Sequence, residues 1–358
     1  MGDTANMLHR IAQTLVNQEK AKIIIEPKKR SDGYWFGGGN MVEIDDALYV
    51  VGRYRNYGDS RLGTALGDRG CELAIFKSVD EGKSFVKVAS FSKEDLSVGE
   101  RKVVSIEGSA LYYDGSKVEL FVSTEKTNLV PEGELGDYVK PGTGVWSVDV
   151  IKGTSIEALD VSSMETVIEG EDVRHFHIKD PFIYKHKNQN MMLGYCSHPI
   201  SWASSNSGYL MRDKNNGWQP PVNNFFARGE VWDVAITRVT SIVDIDKTPY
   251  SLVFYDGGES LRQLDEHSQA KKRTRGYSCE EIGGVGFCED NDINAIERLS
   301  VLTPSFLSPF GKRTSRYVNV LKTVKGYYVT WQQSQEDFSQ PLVLNFVPHE
   351  VVNKIING

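Results

Sequence analysis

A short apolar strand that opens with a glycine or a carboxylate recurs four times along this chain of 358 residues. The openings are Gly38-Gly39-Asn40-Met41-Val42, Glu107-Gly108-Ser109-Ala110-Leu111, Asp180-Pro181-Phe182-Ile183-Tyr184 and Asp233-Val234-Ala235-Ile236-Thr237. They lie roughly 50 to 75 residues apart, a period that suits one β-propeller blade with a generous loop. Because blades start their innermost strands around one axis, the repeat predicts that distant residues converge there.

Turn residues between paired apolar runs support the repeat. Asp45-Asp46 separates residues 41–44 from 48–51, and Asp114-Gly115 separates 110–113 from 118–122. Such turns are typical of β-hairpins. A weaker fifth unit surrounds Lys325-Gly326. The sequence therefore predicts an all-β protein, a five-bladed β-propeller with approximate blades 37–90, 103–168, 174–222, 229–302 and 312–346.

The N-terminal stretch is the one part with helical spacing, since its apolar residues are Met7, Leu8, Ile11, Leu15 and Val16. The following apolar run, 22–26, is expected to close the ring by pairing with the last blade. No Pro/Gly/Ser linker or low-complexity block divides the sequence. A single domain over 1–358 is predicted, because closed β architectures run long as one domain.

Charge and hydropathy exclude several classes of partner. A net charge of −7 argues against a nucleic-acid partner. No apolar run approaches the roughly 18 residues of a membrane span, and the N-terminus lacks a signal-peptide pattern, so no membrane partner and a cytoplasmic location are expected. The four cysteines show neither a Cys-x-x-Cys pair nor the histidine spacing of a zinc site. No cofactor is predicted, although the pattern is compatible with a structural axial cation such as Ca²⁺.

Two of the openings carry a family resemblance. Asp180-Pro181-Phe182-Ile183 resembles the Asp-Pro strand opening of the five-bladed propeller glycosidases, a superfamily that includes the arabinanase and β-xylosidase families, the invertase family and the mannoside phosphorylases. Glu107-Gly108-Ser109-Ala110 is similar to their Glu-Gly opening. Those families usually place an aspartate at the first opening, where this chain has Gly38, and Asp32 is a candidate substitute from a nearby loop. The resemblance implies a carbohydrate-active enzyme.

Glu107, Asp180 and Asp233 form the candidate catalytic set. Glycoside cleavage passes through an oxocarbenium-like transition state, so one carboxylic acid protonates the leaving oxygen while another carboxylate activates water or attacks. A third carboxylate raises the pKa of the acid by like-charge repulsion. We expect Asp180 to be the orienting residue that also tunes the pKa of the acid. Glu107 and Asp233 are then acid and base, in an order that the sequence leaves open.

Residues that flank the openings are candidates for sugar binding. Tryptophans beside the openings suit stacking on a sugar face, and the two histidines of 175–177 lie on one side of a strand because of their alternate spacing. Arg53 and Arg55 share one face of a predicted strand, and an arginine at this place suits an anionic substrate or phosphate. The predicted substrate-binding residues are Asp32, Trp35, Asn40, Arg53, His175, His177, Trp232, Glu281 and Arg316.

A further motif, Ser78-Val79-Asp80-Glu81-Gly82-Lys83-Ser84-Phe85, matches the Asp-box pattern and is similar to hairpin turns of sialidases and other propellers. In this pattern the aspartate caps backbone amides of the turn and the glycine supplies a positive φ. The motif therefore indicates blade architecture and is expected to lie away from the active site.

The predicted function is hydrolysis of a glycosidic bond, exo-acting on a small oligosaccharide and directed to a furanoside such as an arabinofuranoside, galactofuranoside or fructofuranoside. Three alternatives stay open. A phosphorylase would bind phosphate through Arg53, Arg55 or the basic cluster 271–275. A sialidase-like enzyme would use an arginine triad, for which Arg53, Arg212 and Arg316 are candidates. The third is a noncatalytic carbohydrate-binding propeller.

Overall fold

The computed structural model describes residues 2–56, 68–127, 144–185, 190–199, 204–213, 215, 217–258 and 282–358. Helix α1 (Gly2–Leu15) and strand β1 (Lys22–Ile25) come first. Blade 1 then contains β2 (Trp35–Gly37), β3 (Met41–Ile44), β4 (Ala47–Asn56), β5 (Asp68–Ser78) and β6 (Val86–Ser92). Blade 2 contains β7 (Val103–Tyr113), β8 (Val118–Lys126), β9 (Val145–Gly153) and β10 (Asp160–Glu169).

Three further blades complete the described fold. Blade 3 contains β11 (His177–Lys185), β12 (Met191–His198), β13 (Asn206–Arg212) and β14 (Val222–Phe226), and blade 4 contains β15 (Ile236–Asp244), β16 (Tyr250–Gly258), β17 (Ile282–Glu289) and β18 (Glu297–Arg298). Blade 5 contains β19 (Ser315–Lys322), β20 (Gly326–Gln333) and β21 (Leu342–Pro348), and helix α2 (His349–Asn357) follows it. Neighbouring strands within each blade are antiparallel. The predicted all-β five-bladed propeller with an N-terminal helix is confirmed.

The blades form a closed ring around one axis. The first strands of successive blades lie against one another, in the order β3, β7, β11, β15, β19 and back to β3. Side-chain hydrogen bonds join each blade to the next near the axis. They are Asn40 to Leu111, Ser123 to the Asp180 amide, Ser207 to the Val239 amide, Thr240 to the Val318 carbonyl, and Asn319 to the Met41 amide. Strand β1 pairs with β21 and so supplies the fourth strand of blade 5.

The hairpins form where the sequence places residues that tolerate left-handed backbone. Asp45 and Asp46 have φ values of 48° and 62°, which are those of a two-residue turn matched to the twist of β3 and β4. At the next hairpin, the Asp114 carboxylate accepts hydrogen bonds from the amides of Ser116 and Lys117, both at 2.8 Å. Local side-chain chemistry therefore fixes both turns.

Apolar packing fills the spaces between blades and secures the two helices. Leu8, Ile11 and Leu15 of α1 are fully buried and pack with Tyr327 and Trp331 of β20. Each such aliphatic side chain contributes about 1.5–3 kcal/mol when it is removed from water. The helices thus anchor both ends of the chain on blade 5. Among the described residues, no helix has both the length and the apolar character needed to cross a membrane.

The turn at 78–85 is organised by Asp80. Its carboxylate accepts hydrogen bonds from the Ser84 amide at 2.9 Å and the Ser84 hydroxyl at 2.5 Å. Gly82 has a φ of +84°, and its amide donates to the Ser78 hydroxyl at 2.9 Å. The hydrogen bonds from Ser84 and Ser78 lower the pKa of Asp80 from 3.8 to about 2. The turn lies on the outer hairpin of blade 1, between β5 and β6.

Replacement of Asp80 with alanine is expected to lower the thermal unfolding midpoint, because the Ser84 amide loses its acceptor. A carboxylate whose folded pKa is depressed stabilises the fold above its unfolded pKa, and that stabilisation is lost as the pH falls through about 2. Melting curves followed by circular dichroism should therefore differ at neutral pH and converge in strong acid. Asp80→Asn, which keeps one acceptor oxygen, should fall between the two; equal midpoints for wild type and Asp80→Ala at neutral pH would contradict this role.

Candidate active site

Irregular points in the first strands place side chains on the axis. The pairing of the first and second strands is interrupted between Ile106 and Ser109 in blade 2 and between Lys179 and Phe182 in blade 3. Similar interruptions occur between Val239 and Ser241 in blade 4 and between Arg316 and Asn319 in blade 5. In blade 1 the first strand is broken into β2 and β3. A small axial cavity lies at these points, lined by Gly38, Gly39, Asn40, Asp180, Pro181, Phe182, Arg238, Thr240 and Tyr317.

At the first blade opening, the side chain of an arginine occupies the space beside Gly38. Its φ is +74°, and a Cβ added to it would lie 1.8 Å from Arg53 Nη1. Arg53 comes from β4, is buried, and donates to the Gly37 carbonyl at 3.1 Å. Blade 1 therefore presents a guanidinium group at the axis where a side chain on residue 38 would otherwise stand.

Asp180 has a left-handed backbone, with a φ of +54°, and is buried. Its Oδ1 accepts a hydrogen bond from the Gly108 amide at 3.0 Å, and its Oδ2 accepts one from Arg238 Nη1 at 2.8 Å. Gly108 must lack a side chain, since a Cβ there would come within 2.6 Å of the same carboxylate. The blade 3 carboxylate is thus fixed by groups from blades 2 and 4.

Arg238 of β15 is the central cation of the site. It is 2% exposed and donates to Asp180 at 2.8 Å, to Asp256 at 2.7 Å and to the Tyr317 hydroxyl at 2.9 Å. Bidentate and charge-assisted hydrogen bonds of this kind hold both partners in fixed orientations. Arg238 consequently links the axial groups of blades 3, 4 and 5.

Glu107 contacts Arg53 and is not among the residues that line the cavity. Its Oε2 is 3.4 Å from Arg53 Nη2, and its Oε1 accepts a hydrogen bond from the Ser105 hydroxyl at 2.8 Å. Burial alone would raise the pKa of Glu107, but the positive charges of Arg53, Lys179, Arg69 and Arg55 outweigh it and lower the pKa to about 2. Glu107 therefore stays ionised at any ordinary working pH.

A second glutamate at the end of β8 has the opposite tendency. Glu125 is fully buried and accepts hydrogen bonds from Arg69 at 2.6 Å and from the Gly144 amide at 2.8 Å. Burial raises its pKa, against the opposing effects of Arg69 and the Gly144 amide, and the nearby charge of Glu107 raises it further. Two neighbouring carboxyl groups of blade 2 thus differ in their preferred charge.

Asp233 differs from the prediction in its place on blade 4. Strand β15 begins at Ile236, and the interruption that faces the axis lies around Thr240. Asp233 precedes the strand, where its Oδ2 accepts hydrogen bonds from Arg298 at 2.8 Å and from Tyr255 at 3.1 Å. The structure therefore joins Glu107 and Asp180 through one polar network and gives Asp233 other partners. The apolar sequence after Asp233 resembled a strand opening, but the strand starts later.

Two of the predicted binding residues, Trp35 and Arg316, form one layer beside the cavity. Two guanidinium groups lie over the Trp35 ring, that of Arg55 at 4.5 Å and that of Arg316 at 4.7 Å from the ring centroid. Arg316 also donates to Gln332 at 2.8 Å and stands 5.5 Å from the ring of Tyr317. Trp35 is buried in this arrangement. Arg212 lies elsewhere, paired with Glu119 at 2.7 Å, so the three arginines considered for a triad are not assembled.

Three other predicted binding residues have structural partners. Asn40 lines the cavity, but its amide exchanges two hydrogen bonds with the backbone of Leu111, at 2.9 and 2.7 Å. Trp232 is buried, and its indole donates to the Ser300 carbonyl at 2.9 Å. Asp32 is half-exposed and forms an ion pair with Lys312. Glu281 and the basic cluster 271–275 lie outside the described residues.

The two predicted histidines have different surroundings. His175 ends a short 3₁₀ turn (Val173–His175) and contacts the Ser197 hydroxyl at 2.9 Å. His177 is fully buried against the rings of Trp146 and His198, at 4.6 and 4.9 Å, and within the described chain neither of its nitrogens has a hydrogen-bond partner. Burial, aided by Lys179, lowers the pKa of His177 to about 3. His177 is therefore neutral and packs as a ring.

Arg238 and Tyr317 are site residues that the sequence patterns did not identify. Arg238 stands inside the run Ile236–Asp244, most of which is buried, and a charge within a buried strand was the available signal. Asp256 lies near the end of β16 and precedes two glycines, and both its oxygens lie 3.0 Å from the Tyr317 amide. Within the residues described, no group of three or more His, Cys, Asp or Glu side chains is arranged to hold a metal ion.

The fold is shared with solved carbohydrate-active enzymes. A thermostable family-43 glycoside hydrolase superposes with a TM-score of 0.57 at 8% identity, covering 90% of this chain and 92% of that one. An α-L-arabinofuranosidase from Lactobacillus brevis gives 0.55 at 9% identity, covering 94% and 93%. The GH43_1 enzyme from Xanthomonas citri, solved with xylotriose, gives 0.52 at 11% identity, covering 96% and 92%. Neither protein-family models nor curated proteins match the sequence. At these identities the likeness establishes the fold.

Proposed function

We propose that this protein is a glycoside hydrolase whose active site is the axial cavity. The observation that carries the proposal is the fixed pair of carboxylates, Glu107 and Asp180, which meet through Arg53, Tyr317 and Arg238 at the centre of the propeller. Glycosidic cleavage needs charged groups held rigidly around the anomeric carbon, since an oxocarbenium-like charge develops there. The shared fold with family-43 glycoside hydrolases supports the same class of chemistry.

The surroundings of the carboxylates support a proposal for their roles. Glu107, with its pKa lowered to about 2 by four nearby cations, is ionised and takes the role of base that the sequence left open between it and Asp233. Asp180 is a positioning residue, because both of its oxygens are engaged by the Gly108 amide and Arg238. Its negative charge is available to balance the positive charge of the transition state.

The proposed substrate is a small oligosaccharide from which a terminal sugar is released, with a furanoside as the preferred sugar. An arabinofuranosidase and an enzyme in complex with xylotriose are among the proteins that share the fold, which supports a substrate of this size. The cavity is compatible with this choice, because its lining residues lie at the strand interruptions around one axis.

Phosphorolysis is the second candidate, favoured by the cations at the axis. Arg53, Lys179 and Arg238 all lie close to the carboxylates of the site. Burial lowers the pKa of Lys179, but Asp180, Glu107 and Tyr317 outweigh it and raise the pKa, so this group stays charged. A phosphate anion would meet three permanent positive charges there.

The test is a panel of aryl furanosides and pyranosides assayed with and without phosphate. Release of the aryl group without phosphate, metal or nicotinamide is expected, because positioned carboxylates and water suffice for hydrolysis. Added phosphate should leave the rate unchanged. A strict phosphate requirement with a sugar 1-phosphate product would replace hydrolysis with phosphorolysis. Release from sialosides alone would favour a sialidase-like enzyme, and sugar binding by calorimetry without any turnover would establish a noncatalytic propeller.

A further inference from the structure

Tyr317 is held in the axial cavity by both its backbone and its hydroxyl group. Its φ is +56°, a left-handed conformation that a tyrosine rarely adopts, and its amide donates to the Asp256 carboxylate at 3.0 Å. The Tyr317 ring stacks on the Arg238 guanidinium, whose central carbon is 3.9 Å from the ring centroid. Strained backbone of this kind persists where the surrounding structure enforces it, and such positions cluster at functional sites.

The Tyr317 oxygen accepts hydrogen bonds from two guanidinium groups. Arg53 Nη2 of blade 1 lies at 3.2 Å and Arg238 Nη1 of blade 4 at 2.9 Å. Burial alone would lower the pKa of Arg53, but Tyr317, Glu107 and Asp180 outweigh it and raise the pKa. Hydrogen bonds from permanent cations favour the ionised form of an acid over its neutral form. The phenolic oxygen therefore lies where negative charge is stabilised.

Other charged groups lie around this tyrosine. Lys179 of blade 3 is close enough for its charge to couple to Tyr317, and Arg316 stands beside the ring. Three carboxylates oppose these cations: Glu107 contacts Arg53, while Asp180 and Asp256 contact Arg238. Each carboxylate is paired with a guanidinium group, so the pairs meet at the Tyr317 hydroxyl as their common acceptor.

The cavity lining separates Tyr317 from Glu107. Tyr317 and Asp180 both line the cavity, and Glu107 is not among the lining residues. The two oxygens of Asp180 are held by the Gly108 amide and Arg238, which fixes this carboxylate as a positioning group. We propose that Tyr317 is the nucleophile of this site, acting as a phenolate held by Arg53 and Arg238. This inference rests on the proposed glycosidic activity and adds a catalytic residue to it. The closest precedent in chemistry is the tyrosine nucleophile used by sialidases.

The two steps of the reaction balance with water as the co-reactant. First, the Tyr317 oxygen forms a bond to the anomeric carbon while the glycosidic C–O bond breaks. The electron pair of that bond goes to the leaving oxygen, which takes a proton from solvent. Then water adds to the anomeric carbon and gives a proton to the Glu107 carboxylate, which passes it to solvent, and the electron pair of the sugar–tyrosine bond returns to the phenolate. Two displacements give net retention of configuration.

The ionisation of Tyr317 can be measured without any substrate. The ultraviolet difference spectrum of phenolate is recorded during a pH titration of wild type, Tyr317→Phe and Tyr195→Phe. Tyr195 is a matched control, since it is buried in blade 3 and donates to Asn223 at 2.8 Å. We expect one tyrosine to ionise below the ordinary pKa of about 10, absent from Tyr317→Phe and present in Tyr195→Phe. If wild type and Tyr317→Phe show the same titration curve, the proposal is overturned.

The second measurement uses a glycoside that the panel shows to be cleaved. Tyr317→Phe should lower kcat by about 1,000-fold or more, while Tyr195→Phe stays near wild type. A 2-deoxy-2-fluoro aryl glycoside should leave a sugar adduct on the peptide that carries Tyr317, detected by mass spectrometry. An adduct on Glu107 or Asp180, or an inverted product, overturns the assignment and leaves hydrolysis intact. Complete inactivity on the panel rejects the proposed hydrolysis, and the titration still decides the state of Tyr317.

Discussion

Asp180→Asn is expected to lower kcat/KM by about 100-fold to 1,000-fold while the propeller stays folded. The asparagine keeps the shape and tolerates the left-handed φ of +54° at this position. Its Oδ1 can still accept the Gly108 amide, which donates to Asp180 at 3.0 Å. The charge opposite Arg238 is lost, however, and an amide N–H₂ would face the guanidinium that now lies 2.8 Å from Oδ2. Initial rates on the best substrate of the panel measure the effect, and circular dichroism checks the fold.

Asp149→Asn is the matched control for this change. Asp149 is also a buried aspartate paired with a cation, Lys126, and its Oδ1 accepts the Thr166 hydroxyl at 2.9 Å. It lies on β9 of blade 2, where its partners belong to the same blade. Both variants should lose stability, but Asp180→Asn alone should lose activity. Equal activity of the two variants would remove Asp180 from the site.

Arg238→Met should lower the free energy of unfolding by about 3–5 kcal/mol, because it leaves buried carboxylates without their shared cation. The carboxylates are Asp180 and Asp256, whose side chains are 3% and 0% exposed. Methionine keeps much of the volume of the arginine stem, so the loss is one of charge compensation rather than of packing. Urea unfolding at neutral pH measures the change.

Two further variants separate this effect from a general loss of an arginine. Arg101→Met removes an exposed pair with Glu169, 3.2 Å apart, and should cost about 1 kcal/mol or less. The double variant Arg238→Met with Asp256→Asn should recover part of the lost stability, since one of the uncompensated charges is gone. If Arg238→Met unfolds at the same urea concentration as wild type, the central pairing does not stabilise the fold.

The blades could be predicted because their signals are local. Asp45-Asp46 forms a turn in which both residues have positive φ, and Asp114 binds the amides of its own turn. Such chemistry involves a few neighbouring residues and is visible in the sequence. The C-terminal residues 350–356 lie in α2, although their sequence is compatible with either a strand or a helix. Their conformation depends on the apolar face shared with α1 and blade 5, which no short window reveals.

The candidate site could be predicted only in part, since its partners meet across blades. Glu107 and Asp180 follow from the repeated openings. Tyr317 and Arg238 were missed because their roles arise from mutual contact between β15 and β19, distant in sequence. Asp233 is a different case. A carboxylate before an apolar run matches the pattern, but the strand interruption of blade 4, which corresponds to the one at Asp180 in blade 3, falls at Thr240. The register of the paired strands decides which residue of a blade reaches the axis, and a short sequence pattern does not reveal that register.

The pairing of β1 with β21 has a consequence for folding during synthesis. Lys22 lies opposite Leu344, so this seam joins segments separated by nearly the whole length of the chain. Arg53 of blade 1 reaches Tyr317 of blade 5 across the boundary between these two blades. Non-local contacts of this kind form slowly and only after the later segment has left the ribosome. A nascent chain that already has blades 1 to 4 would therefore lack the Arg53–Tyr317 contact, and catalytic competence would arrive with ring closure.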